Sequence, residues 1–371
     1  MNESGFIIET KTNTKIKNYI KYLEDIIKRA ESDLKLPKYK FDFNLYGKYH
    51  RYLQYSREVL QRGEADLKEI EKVVCKLHDL REAYLSSNLL RVDLEVIADK
   101  STYVSAKDSN INFAESEVLF VNGGNEERKE IFLNFAIDKF FGLKDKKMLT
   151  VKMGLRNNHV EKPQNLSLQC LMENVDCSSL TYNNSRNLEV MDETYEFDVF
   201  ALQSPPFYCN INRSPWVFAD ISELYKNLLY DKSNVVFKIY SNVNTEVCFC
   251  GISKEDKYDA PHMDELVQAK YKPRIFVSYE ENAAYRLSSE IENAKNILNN
   301  TPSGDGIWQF SKKNRKILQE AINFAVKLMD SEKNEEILIR EIRNIKTCVE
   351  IYKKKINVPK VERPSLLYTK A

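Results

Sequence analysis

Between Asn44 and Glu95 the apolar positions recur in steps of three and four. Written as a heptad, the core positions fall on Tyr46, Tyr49, Leu53, Ser56, Leu60, Gly63, Leu67, Ile70, Val74, Leu77, Arg81 and Tyr84, and nine of these twelve are apolar. A repeat averaging 3.5 residues with charge between predicts one long helix whose narrow seam faces another helix. At about 1.5 Å rise per residue it would extend on the order of 75 Å, so other parts of the chain must cover it. Ile16, Ile20, Leu23, Ile27, Ala30 and Leu34 form a first covering stripe, which stops before Leu36-Pro37 because the residue before proline is pushed out of the helical region. Ala284, Leu287, Ile291, Ala294 and Leu298 keep the same rhythm as far as Thr301-Pro302-Ser303-Gly304. Ile317, Ala321, Phe324 and Leu328 resume it, and after a break at Asp330–Asn334 it runs through Leu338, Ile342, Ile345, Val349, Tyr352 and Ile356.

Between these flanks the period changes to two. Leu166, Leu168, Cys170 and Met172 alternate with polar residues, and short β-branched or apolar runs occupy 117–121, 148–153, 195–202, 235–240, 246–250 and 274–279. These predict strands. Two helices are expected among them, one over 125–141 after Asn122-Gly123-Gly124 and one from Asp220 or Ser222 onward. The fold expected is α+β. A long-helix, coiled-coil-like bundle forms from the N-terminal flank (1–96) and the C-terminal flank (283–358), a strand-rich domain (97–282) is inserted between them, and the tail (359–371) is loose. The seam residues expected to join the flanks are Leu53, Leu60, Gly63, Leu67, Ile70, Val74, Leu338, Ile342, Ile345 and Val349; pairing with a second copy is the competing arrangement.

Composition narrows the function classes. Ten glycines in 371 residues are under half the usual share of about 7%, which argues against sites that wrap backbone around phosphates. Charge is heavy but balanced, 56 Lys and Arg against 55 Asp and Glu, so no net field recruits nucleic acid or an anionic membrane. Seven cysteines without framework spacing suit free thiols in a reducing compartment. With no run of about 18 apolar residues and no secretory leader at Met1–Gly5, a cytoplasmic protein without a membrane span is expected.

Three stretches carry candidate chemistry. On a strand, Glu196 and Asp198 would share one face. The tetrapeptide Glu196-Phe197-Asp198-Val199 resembles the acidic strand of cyclic GMP-AMP synthase and Mab-21 type nucleotidyltransferases, with Ser178-Ser179 in the place of that family's small-residue pair. The resemblance spans roughly twenty residues and implies an acidic pair holding two metal ions, with Asp220 or Glu246 as the third carboxylate. The family's Gly-Ser turn is missing its glycine here, and about 100 residues separate this strand from the long helix. Cys248-x-Cys250 places two thiols on one strand face, one ligand pair where a structural zinc site has two. Ser204-Pro205-Pro206 through Arg213, Pro215 and Phe218 is expected to be a proline-braced, aromatic-rich loop in which Phe207, Tyr208, Arg213 and Trp216 are suited to anchor a protein partner.

The expected function is that of a non-enzymatic structural or interaction protein, a scaffold, assembly subunit or effector, which docks to a protein or to itself and carries no metal or cofactor. The alternative is a metal-dependent, nucleotidyltransferase-like or other nucleic-acid-processing enzyme using Glu196 and Asp198 with Mg²⁺ or Mn²⁺.

Overall fold

Residues 20–62, 66–143, 145–160, 164–199, 216–228, 233–252 and 272–356 are described in a computed structural model. Contacts divide the chain into two units. The first comprises the described parts of Met1–Leu36, Asn44–Ser86 and Arg91–Glu280, and the second those of Pro37–Phe43, Ser87–Leu90 and Glu281–Ala371.

Most of the first unit is antiparallel sheet. One sheet contains β1 (Arg91–Ile97), β11 (Arg274–Glu280), β5 (Lys147–Val160), β10 (Val247–Cys250) and β3 (Val118–Val121) in that order, with β8 (Trp216–Asp220) also pairing β5. The other has the order β2 (Lys100–Ser105), β4 (Lys129–Ala136), β9 (Asn234–Tyr240), β6 (Gln164–Leu171), β7 (Val190–Val199). Alternate side chains of the two sheets meet in one core. Val151, Met153, Phe249, Ile275 and Val277 come from the first, and Ile131, Leu133, Phe135, Leu168, Phe237 and Ile239 from the second. The outer face of the second sheet is covered where Val104, Phe132 and Val236 pack with Leu171, Cys177 and Leu180; the one-turn helix α4 (Tyr182–Ser185) follows this segment, and α5 (Ser222–Leu228) follows β8.

The helix expected over 125–141 is therefore strand β4. Ile131, Leu133 and Phe135 face the inter-sheet core while Phe132 is buried on the opposite face. A strand apolar on both faces loses its alternation and imitates a helical run.

The long-helix bundle is also overturned: the helices are short flanks. The stretch from Asn44 to Glu95 is two helices of twenty residues, α2 (Phe43–Arg62) and α3 (Leu67–Ser86), followed by strand β1. The local cause is a new helix start. The Asp66 carboxylate accepts a hydrogen bond from the Glu69 amide at 2.7 Å and the Asp66 carbonyl accepts from Ile70, the cap expected where an acidic residue precedes a helix and a glutamate follows three places on. The heptad stripe folds back on itself instead of reaching a distant partner. Tyr49 meets Tyr84 (centroids 5.4 Å apart), and the Tyr55 hydroxyl donates to Glu69 at 3.3 Å. Leu53, Ile70 and Val74 are buried and Leu60 is half-buried. Leu67 opens α3, and Gly63 lies outside the described residues.

Residues 20–33 form α1, whose Leu23, Ile26, Ile27 and Ala30 are buried. A polar clamp ties it to the hairpin: Arg81 Nε lies 2.7 Å from Asp33 Oδ2, and the Tyr49 hydroxyl donates to the same oxygen at 3.2 Å. Burial, then the Asp33 charge, raises the pKa of Tyr49. Asp33→Ala would leave the Arg81 guanidinium with only the longer Glu82 pairing at 3.4 Å and the Tyr49 hydroxyl without its acceptor, and after allowance for partial exposure the expected cost is about 1–2 kcal/mol, to be read as a shift in the urea unfolding midpoint.

The second unit rests on α6 (Ala283–Asn300), α7 (Lys312–Ser331) and α8 (Glu335–Lys353), each begun by a side-chain cap from Asn282, Ser311 and Asn334 in turn. Leu287, Ile291 and Leu298 of α6, Leu318, Ile322 and Ala325 of α7, and Leu338, Ile342, Ile345 and Val349 of α8 share one core. The C-terminal seam residues thus face other C-terminal helices. The connector Lys38–Phe43 joins this unit: Arg343 donates to the carbonyls of Tyr39 (2.9 Å) and Phe41 (3.0 Å), and Lys40 pairs with Glu335 at 2.8 Å. Among the described residues no helix is long and apolar enough to cross a membrane.

Candidate partner-binding face

Strand β5 carries β11 along one edge and β8 along the other where the three overlap. The register places Gly154 between Phe218 and Arg274, and Lys152 between Asp220 and Phe276. Val217, Ala219, Ile275 and Val277 turn toward the core, so alternation sends Trp216, Phe218, Arg274 and Phe276 to the outer face with Lys152 and Arg156. Three rings gather there. Trp216 stacks on Phe218 at 6.5 Å, Phe276 meets Trp216 edge-on at 6.1 Å, and Phe218 and Phe276 are 5.6 Å apart.

Gly154 is what lets them meet. A Cβ there would stand 2.6 Å from Phe276 Cε2 and 3.2 Å from Phe218 Cε1, so rings from both neighbouring strands close over the bare backbone. The Arg274 guanidinium lies 5.0 Å from the Trp216 ring centre and is fixed by Glu95 at 2.8 Å. Phe218 nevertheless remains 37% exposed. Rigid aromatics beside a held arginine, on strands rather than loops, are the residue types that dominate protein interfaces.

Of the four anchors expected from the sequence, Trp216 is on this face, while Phe207, Tyr208 and Arg213 lie outside the described residues. Phe218, Arg274 and Phe276 were missed as site residues. Their signal was available: Trp216-x-Phe218 and Arg274-x-Phe276 each have the spacing of two that one strand face requires.

The acidic pair sits elsewhere. Glu196 and Asp198 are exposed on one face of β7, at an edge of the second sheet. Glu196 lies opposite Ser167, and Asp198 accepts a hydrogen bond from Asn165 at 3.2 Å. Neither proposed third carboxylate joins them. Asp220 accepts from the Ser222 hydroxyl at 2.6 Å in the other sheet, and Glu246 pairs with Lys129. Ser178 and Ser179 are folded around Asp176, whose oxygens accept from the Ser178 amide and the Ser179 hydroxyl, both at 3.0 Å. Among the described residues no three His, Cys, Asp or Glu side chains are grouped to hold an ion.

Cys248 and Cys250 are buried and outside any disulfide, as are Cys170 and Cys177; burial pushes the Cys177 thiol up to about 12. A hollow of about 490 Å³ lies at Asp99, Lys100, Asn134, Asp176 and Asn234. Its rim is polar, and Lys100 closes on Asp176 at 2.9 Å.

No family model matches this chain, and no curated protein matches it significantly. The aromatic face must therefore be read from its own chemistry.

Proposed function

We propose that the protein is a non-enzymatic interaction protein, a scaffold, assembly subunit or effector, which docks a protein partner on the outer face of its first sheet. The observation that supports this reading is the Trp216–Phe218–Phe276 cluster closed over Gly154. Three rings are preorganised by register, braced by Arg274 and partly exposed, so ordering them on binding costs little further entropy. The rings rather than the charges set the partner chemistry: Arg274 is already paired with Glu95 at 2.8 Å, and Lys152 lies opposite Asp220 in the register. A protein partner presenting an apolar or aromatic side chain fits that face.

The test is a photo-reactive benzoylphenylalanine at position 218, introduced in the cells that make the protein. The cross-linked protein is then purified and titrated against the unmodified chain. The reading predicts saturable binding that weakens about thirtyfold, roughly 2 kcal/mol, on Trp216→Ala. Absence of an adduct, or equal affinity for Trp216→Ala, would overturn it.

A further inference from the structure

Helix α7 carries two apolar stripes, and the core of the helical unit takes up one fully and only the edge of the other. Leu318, Ile322 and Ala325 enter the core of the helical unit. The stripe expected to do so, Ile317, Ala321, Phe324 and Leu328, is displaced toward solvent: Ile317 is 52% and Phe324 57% exposed, Leu328 is half-buried, and Ala321, also half-buried, packs against the edge of that core. Isolated exposed apolar residues are ordinary. Two of them, continued by two half-buried ones in steps of four, three and four, have the spacing of a helix–helix seam.

We propose that this stripe is a self-association face, on which the α7 helices of two copies pair antiparallel. The helix's own charge order singles out the second copy as occupant. Lys312, Lys313 and Lys316 stand in its first turns, while Arg315 is turned inward and donates to the Leu298 and Thr301 carbonyls, both at 2.7 Å, and Asp330 and Glu332 lie at its end. A parallel pair would set the basic ends side by side, whereas an antiparallel pair sets each against the acidic end of the other and opposes the helix dipoles. One register satisfies the whole stripe: Ile317 opposite Leu328 of the other copy, and Ala321 opposite Phe324, a small residue facing a large one. The same register brings Glu320 beside Lys327 of the other copy, and Lys316 beside Asp330. Each contact occurs twice about the two-fold axis, as an isologous interface requires. This inference is independent of the sheet face, which belongs to the other unit.

Sedimentation equilibrium of the full chain up to about 100 µM tests it, in the range where one helix pair makes a weak but measurable contact. The expected result is a reversible monomer–dimer equilibrium. Phe324→Lys should raise the dimer dissociation constant at least tenfold with an unchanged helical circular dichroism signal, since the ring is not part of the core. Glu320→Lys should weaken the dimer, and Glu320→Lys with Lys327→Glu should restore it, because the two-fold pairing is then exchanged intact. A wild-type chain that stays monomeric, or a Phe324→Lys chain that dimerises as wild type does, would overturn the proposal. Failure of the charge swap to restore the Glu320→Lys dimer would overturn the antiparallel register.

Discussion

Phe237→Ala is expected to cost about 3–5 kcal/mol of unfolding free energy, the largest single effect we anticipate. Phe237 is fully buried at the centre of β9, which is itself an inner strand of the second sheet. Leu133 and Cys170 flank it across the two strand pairings, and its ring meets Phe135 edge-on at 5.9 Å. Removing the ring deletes contacts between the sheets and leaves a cavity bounded by paired strands, which cannot collapse without breaking their hydrogen-bond ladders. Urea unfolding of the variant reads the loss directly, and a change below about 1 kcal/mol would show that the two sheets do not share one packed core.

Gly123→Ala should cost about 3 kcal/mol, although it adds only a methyl group. A Cβ at Gly123 would lie 2.5 Å from the Val243 amide nitrogen, 2.6 Å from the Asn242 carbonyl carbon and 2.7 Å from the Ser241 carbonyl oxygen. All three are backbone atoms, so no rotamer change relieves the clash. The Gly123 amide also donates to the Val243 carbonyl at 2.9 Å, and the Ser241 hydroxyl bonds Gln164 and the Val243 amide, both at 3.0 Å. Shifting that backbone would disturb a buried polar network as well. Thermal unfolding of the variant, which should melt well below wild type, checks this; an unchanged midpoint would mean the 241–243 turn can move aside.

Gly123 also shows how far the sequence could be read. From Asn122-Gly123-Gly124 alone a tight turn is legible, and Asn122 does accept the Gly124 amide at 2.8 Å. That the first glycine exists for close approach of a segment 120 residues away is tertiary information that local composition does not carry. The heptad stripe illustrates the same limit. Its apolar positions were legible, and Leu53, Ile70, Val74, Leu338, Ile342, Ile345 and Val349 are buried. An apolar period specifies that a face is covered without specifying by what, so a hairpin and a long stalk read alike. The discriminating signal was local, the Asp66-x-x-Glu69 helix start within the run. Strands β1 and β2 were obscured by Asp93, Glu95 and Lys100, charges that an antiparallel strand tolerates on its wet face.

The docking face was half legible for a related reason. Trp216 stood out by residue type, but its partners Phe276 and Arg274 lie some 60 residues away and reach it only through the β8–β5–β11 register. Aromatic rings on a sheet surface could serve stability alone, as a third layer of packing, and the two roles differ in what the rings contribute to folding. The unfolding free energy of Phe218→Ser separates them. If the cluster is a binding surface, the exposed ring contributes little more than its pairwise aromatic contacts, and the loss is about 1 kcal/mol or less. A loss of about 3–5 kcal/mol, the cost of truncating a core phenylalanine, would make the face part of the core and contradict its assignment as the docking site.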